Sequence, residues 1–261
     1  MKGDVNRPRA VALLVTCLAE AFAPQVAEAS AQLVARTGAE VELVGHRCCG
    51  QPAWNAGYPD QARALAARLL PRLAGYAAIV VPSGSCATML LRYYPHLFAE
   101  GTALARAARA VAERTRELSA FLAAALPPGT EEPAAVDHVP EGVTVGATDA
   151  LAFHPSCHSL RGAFVGDAGQ RCLRAAGCRV CVQRWSEECC GFGGLFATKE
   201  PALSAAMADA KLDSIVATGT GTVVSGELGC LLHLEGRARR RGLPLRFRHL
   251  AEVLRERKHH G

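Results

Sequence analysis

No uncharged apolar run in this 261-residue chain is long enough to cross a bilayer, so a helical membrane span is excluded. A dinucleotide fingerprint is missing too. The Gly191-Phe192-Gly193-Gly194 run has no G-x-G-x-x-G opening the helix that follows and no strand-end acid at the expected distance, so a nucleotide cofactor is unsupported. An even number of cysteines is also lacking. The chain has 11, which argues against a complete disulfide set, and half of its residues are hydrophobic, enough for real cores, so it is not a disulfide-stapled miniprotein. Charge of one sign is modest, at +5. Basic residues crowd the end, where Arg237, Arg239, Arg240, Arg241, Arg246, Arg248, Arg255, Arg257 and Lys258 face only Glu235, Glu252 and Glu256 in the local sequence. This reads as a solvated arginine-rich face, with no nucleic acid partner expected.

The first residues could pass for a secretory signal. Lys2, Arg7 and Arg9 precede an apolar run, Ala21-Phe22-Ala23 mimics a cleavage site, and Leu14-Val15-Thr16-Cys17 hints at a lipobox. Against this, the run is short, Glu20 interrupts it, and Ala10 to Thr16 reads equally well as a buried parallel strand. The repeat described next decides for the strand, because cleavage would remove Cys17, one of its members. A cytoplasmic protein is expected, where thiols stay reduced and available to metal.

Eleven cysteines are too many for casual core packing, and eight of them fall in one repeated order. The first half has Cys17, thirty intervening residues, the pair Cys48-Cys49, thirty-six residues and Cys86. The second has Cys157, thirty-one residues, the pair Cys189-Cys190, thirty-nine residues and Cys230. Each position thus recurs 140 to 144 residues later. Each pair is followed by glycine, Gly50 or Gly191, and each last cysteine follows a Ser-Gly at a strand end, Ser83-Gly84 or Ser225-Gly226. An internal duplication explains both halves. The Pro-, Gly- and acid-rich segment from Pro127 to Val143 reads as the linker between a first domain, residues 1–126, and a second, residues 144–261.

Within the first half, Ala10 to Thr16, Glu40 to Val44 and Ala77 to Val81 read as strands, with helices from Pro24 to Thr37 and Pro59 to Leu73 between them. The second half repeats this with strands Ala150 to Phe153, Arg179 to Trp185 and Thr222 to Val224, a helix running to Ala176 and another from Pro201 to Ala217. Alternation of this kind predicts an α/β fold of two pseudo-repeated, Rossmann-like parallel-sheet domains. Ligands of such sheets sit at the carboxyl ends of the strands. All eight repeat-matched cysteines fall there, so each half is expected to gather four thiols at one mouth, around its own core.

Four thiolates satisfy an iron–sulfur cluster or zinc equally well. Adjacent cysteines favour a cluster, because neighbouring residues tend to point apart and a polynuclear centre can accept both, whereas zinc sites usually use C-x-x-C. Gly50 and Gly191 fit a backbone passing close to a bulky cofactor, and N–H groups in those turns could bond to sulfur. Cys172, Cys178 and Cys181 have no counterparts in the first half and read as core or strand residues. His154 and His158 bracket Cys157, with Arg161 beyond, and could handle a proton or an anionic substrate. The more ordinary reading of these histidines, and of His46 and Lys199, is structural.

The two Cys-Cys-Gly motifs with their flanking cysteines resemble the CCG, or cysteine-rich, domain found in heterodisulfide reductase and in the iron–sulfur subunit of glycolate oxidase. VTCLAE, CCGQPAWNAGYPDQAR, VPSGSCATM, HPSCHSLRG, EECCGFGGLFATK, GELGCLLHLEGRARRRG and HLAEVL together are similar, nearly end to end, to the lactate-utilisation protein A family. The resemblance implies an iron–sulfur electron-transfer subunit of an L-lactate oxidation system, an oxidoreductase subunit working beside a ferredoxin-like iron–sulfur protein and a third subunit. It also allows substrate chemistry at an open cluster position, and zinc in a non-redox scaffold stays a third alternative. One departure bears on the cofactor. Many CCG domains end in C-x-x-C, but here Ser83 and Glu227 occupy the earlier position of that pair, so four cysteines per half remain, with Ser83 or Glu227 as a conceivable oxygen ligand.

Overall fold

The computed structural model describes residues 7–45, 47–127, 145–146 and 148–257. His46 and, apart from Pro127, the expected linker lie outside the described residues. Among the described residues, eight strands form two parallel sheets. The first contains β1 (Arg7–Leu14), β2 (Glu40–Val44), β3 (Tyr76–Val81) and β4 (Thr115–Glu117), in the order β2-β1-β3-β4. The second contains β5 (Thr148–Phe153), β6 (Val180–Cys181), β7 (Thr220–Ser225) and β8 (Arg246–His249), in the order β6-β5-β7-β8.

The central strands are near-continuous apolar runs because helices cover both faces of each sheet. Ala12 and Leu13 of β1 and Ile79, Val80 and Val81 of β3 are fully buried, and Ala12 pairs with Ile79 in register. In the second sheet Ala152 pairs with Val223, both fully buried. At the edge, β2 alternates, and its Glu42 accepts a hydrogen bond from the Tyr76 hydroxyl at 2.9 Å.

Two strands were not legible in the sequence. β4 (Thr-Arg-Glu) and β8 (Arg-Phe-Arg-His) are short, charged edge strands, each added beside a central strand by main-chain pairing, as Val80 to Arg116 and Val224 to Arg248. The long second-half strand expected from Arg179 to Trp185 is reduced to Val180–Cys181. The charged face of the C-terminal run is largely paired, partly with acids outside the run. Arg237 and Arg241 both bond Asp209, Arg241 reaches Asp213, and Arg248 pairs with Glu256.

Each half has an apolar cluster of its own, but the cores are not separate as expected, because a further cluster is shared. One apolar cluster takes in Leu13, Leu33, Leu118 and Leu122 from the first half with Phe153, Leu173, Leu250 and Leu254 from the second. The contact is reciprocal. The last helix of the first half, Leu118–Ala124, packs on the helix Ala168–Ala175, and the last helix of the second half, Leu250–Glu256, packs on Pro24–Arg36. Burying each large apolar side chain is worth about 1.5–3 kcal/mol, so exposing a few would cancel the roughly 5–15 kcal/mol that holds a domain folded. The two sheets are therefore one structural unit, and their strand ends face a common space.

Candidate metal centres at the strand ends

Local capping sets where the sulfurs point. Cys17 and Cys157 open short helices, Cys17–Phe22 and Cys157–Arg161, just after β1 and β5. Thr16 and Ser156 cap those helices, accepting from Ala19 N at 3.3 Å and Ser159 N at 3.1 Å. Cys86 and Cys230 sit in the first turns of helices Gly84–Thr88 and Leu228–Arg240, after β3 and β7. Their caps are Ser83, which accepts from Cys86 N at 3.3 Å, and Glu227, which accepts from Gly229 N at 3.4 Å.

Between these come the cysteine pairs, and both members of each pair turn inward. Gly50 and Gly191 make this possible with φ of +90° and +89°, a left-handed bend that side chains disfavour. The glycines are also required by packing, though not on the side expected. A Cβ at Gly191 would lie 2.6 Å from the Ser204 carbonyl oxygen and one at Gly50 3.1 Å from that of Ala62. The close approach is thus to the helix behind the turn, Pro201–Val216 or Pro59–Leu69, and not to the cavity in front.

The eight thiols form two groups of four. In the first, the chain of contacts runs Cys17, Cys48, Cys49, Cys86, with the last two sulfurs 3.2 Å apart. In the second it runs Cys157, Cys189, Cys190, Cys230, the last two 3.1 Å apart. These separations are well beyond a disulfide bond of about 2.05 Å, and all eight are free thiols. Gly50 N and Gly191 N donate to the sulfurs of Cys48 and Cys189, each at 3.4 Å. Hydrogen bonds from the flanking thiols, with those N–H groups, push the Cys48 and Cys189 thiols down to about 2. Cys17, Cys49, Cys157 and Cys190 are raised, chiefly because their protons are given to that neighbour. In each group the thiolate form is thus favoured at one sulfur, that of Cys48 or Cys189.

Both groups open onto the same cavity, of about 180 Å³, lined by every one of the eight cysteines except Cys48, together with Ser83, Ser85, His158 and Glu227. Ser83 and Glu227, where the wider pattern has a further cysteine, bond to each other across the two halves. Ser83 Oγ donates to Glu227 Oε2 at 3.0 Å, and the same oxygen accepts Ser85 N at 2.8 Å. His158 stands 3.8 Å from the Cys157 sulfur and 3.4 Å from Gln51 Nε2 of the first half. Arg161 turns away to the Glu187 carbonyl, and Lys199 is exposed. Cys172 and Cys178 are in the shared core, the former donating to the Ser119 carbonyl at 3.6 Å, and Cys181 is buried on β6.

A model of the cysteine-rich domain family, CCG, matches residues 11–91 and 151–235, and each match contains one complete set of four thiols. Over 95% of its length the chain is 36% identical to Lactate utilization protein A of Bacillus cytotoxicus, covering 99% of that protein. It is 35% identical to Lactate utilization protein A of Bacillus licheniformis, with the same coverage. With Lactate utilization protein A 2 of Bacillus cereus it shares 33% over 94% of this chain and 97% of the other. The chain belongs to the lactate utilization protein A family.

The donor set of this family member suits a metal or iron–sulfur centre in each half: four sulfurs in successive contact and a backbone N–H aimed at one of them. In the second half a buried imidazole, His154, adds to it. Its nitrogens have no hydrogen-bond partner among the described residues, and one of them lies within 4.8 Å of the sulfurs of Cys190 and Cys230. Burial pushes His154 down to about 3, so the ring is neutral. Two buried charged groups escaped the sequence reading. Lys211, whose ammonium donates to the carbonyls of Trp185 and Ser186 at 2.5 and 3.1 Å, lies near the second group, where burial lowers its affinity for the proton. Glu117, at the end of the unrecognised β4, is pushed up to about 7 by burial. Aligning the halves could have found Lys211, since a shift of 142 residues sets it against Leu69.

Proposed function

We propose that this protein is an iron–sulfur electron-transfer subunit of an L-lactate oxidation complex. The observation that carries the reading is the convergence of both four-thiol groups on one cavity, and the names of the relatives supply the acid. An iron–sulfur centre accepts and passes on single electrons; oxidation of lactate to pyruvate releases two electrons and two protons. In this reading Cys17, Cys48, Cys49 and Cys86 hold one centre, and Cys157, Cys189, Cys190 and Cys230 the other. The N–H groups of Gly50 and Gly191 favour negative charge on sulfur, which steadies the more reduced state. Glu227 and Ser83 fix the two helix starts that carry Cys86 and Cys230, so the spacing of the two groups is held rigid. The working setting proposed is the cytoplasm, beside a ferredoxin-like iron–sulfur protein and a third subunit that between them deliver or remove the electrons.

A second reading is favoured by the cavity itself. A small organic acid placed there would touch both thiol groups, and His158 lies on its wall to exchange a proton. Substrate chemistry would then occur on this chain and not on a partner.

Anaerobically purified protein should contain iron and acid-labile sulfide and absorb broadly in the visible. Zinc in place of iron would overturn the reading and return the chain to a scaffold role. In the cell, Cys49→Ser combined with Cys190→Ser should abolish growth on lactate as sole carbon source while leaving growth on glucose normal. Normal growth on lactate, with no second lactate dehydrogenase present, would show that the thiols are not needed.

A further inference from the structure

The two thiol groups repeat each other closely, but what stands behind them does not. One residue after the last position of β5 comes His154, and the equivalent place, the last position of β1, is filled by Leu14. Both are three residues before the first cysteine of their set. Leu14 is 1% exposed and packs in an apolar cluster with Cys49 and Cys86. His154 is 0% exposed and occupies the same ground against Cys190 and Cys230. The leucine shows that the fold is content with an apolar side chain there.

An imidazole in that position brings one N–H and one lone pair into a site closed to solvent. Buried polar atoms are nearly always hydrogen-bonded, and an unpaired one carries its whole desolvation penalty. Neither nitrogen of His154 has a partner among the described residues. The main-chain N–H of His154 is already bonded to Val224 O at 2.8 Å, which fixes the ring behind the second thiol group. Nothing among the described residues completes this environment, and a thiol-held metal is a class of partner that both sulfur and neutral imidazole nitrogen accept.

We propose that His154 is a nitrogen ligand to an iron of the centre held by Cys157, Cys189, Cys190 and Cys230, so that the two centres of this protein are chemically unlike. The inference rests on the iron–sulfur reading above. Among the described residues no imidazole stands behind the first thiol group, where Leu14 takes that place. The second group has a nitrogen donor in addition to its four sulfurs, so the two centres differ in donor set and therefore in potential.

The test uses the full-length, anaerobically purified and reduced protein, labelled with 15N at histidine only. Pulsed electron–nuclear spectroscopy should show one strongly coupled histidine nitrogen, changing with the isotope. His154→Leu, which installs the residue the first half already carries, should remove that coupling and shift the potential of one centre while leaving the other unchanged. His158→Gln should keep the coupling. Iron-loaded wild-type protein with no strongly coupled nitrogen would overturn the inference alone, as would a coupling that survives in His154→Leu. Wild-type protein without iron would overturn both this inference and the function on which it rests. Because the isotope effect is read on unaltered protein, a poorly folding variant does not shield the proposal.

Discussion

Alanine at Gly191 should cost the fold more than alanine at Gly50, although the two glycines occupy equivalent turns with φ of +89° and +90°. A side chain in that left-handed conformation costs about 1–2 kcal/mol, and this part cancels between the two variants. What differs is the room behind the turn. The new methyl of Gly50→Ala would sit 3.1 Å from the Ala62 carbonyl oxygen, tight but open to a small adjustment. That of Gly191→Ala would be 2.6 Å from the Ser204 carbonyl oxygen and 2.9 Å from the Met207 Cβ, so the helix Pro201–Val216 must move. Overpacking of this kind adds about 1–3 kcal/mol. The totals are about 1–2 kcal/mol for Gly50→Ala and about 2–5 kcal/mol for Gly191→Ala. For a chain of this size each kcal/mol lowers Tm by roughly 2–4 °C, giving losses of roughly 2–8 °C and 4–20 °C. Thermal melts of metal-free protein, followed by circular dichroism under reducing conditions, would read both. Equal losses, or a larger one for Gly50→Ala, would refute the argument that the glycine after each pair is dictated by the helix behind it.

Two further outcomes are expected. Cys190→Ser should lower iron content by about half, because one of two four-thiol groups loses a ligand, while Cys172→Ser should leave iron content unchanged, and iron analysis with visible absorption distinguishes them. Glu117 should make stability fall as pH rises: its carboxyl is neutral in both states below about 4.5, ionised only in the unfolded chain between there and its folded value of about 7, and ionised in both above. The full loss is about 3 kcal/mol across that window, so urea melts between about pH 4.5 and 8 should show wild-type stability falling by about that amount relative to Glu117→Gln as pH rises; a constant difference between the two would rule out this carboxyl.

The sequence made the strongly periodic parts legible. The reading bounds Glu40–Val44 as found and places the central strands and the helices it names within a few residues, because continuous apolar runs and 3.6-residue periodicity report burial directly, but it leaves out the helices Ala103–Arg114 and Leu228–Arg240. The cysteines were legible because a duplication printed the same spacing twice. What escaped depends on tertiary partners. Thr115–Glu117 and Arg246–His249 are strands only because a central neighbour offers main-chain bonds, and their side chains carry no strand pattern. The shared core was hidden for a related reason: an apolar helix face announces that it is buried, not which half of the chain buries it. The meeting of Ser83 with Glu227 and of His154 with two thiols likewise depends on how elements far apart in sequence come together.

The Ser83–Glu227 hydrogen bond has an implication for how the molecule came to be. The two residues hold equivalent places, each capping the helix that carries the last cysteine of its half, and they touch. Equivalent positions that touch lie on the axis relating the halves. Had the halves been two identical chains, as in a symmetric dimer, that axis would have carried either two serines or two glutamates. Two buried carboxylates there would repel each other, and two hydroxyls would leave the N–H of Ser85 without its present acceptor. The serine–glutamate match is open only where the two copies can differ, as two halves of one chain can, each changing without its mate.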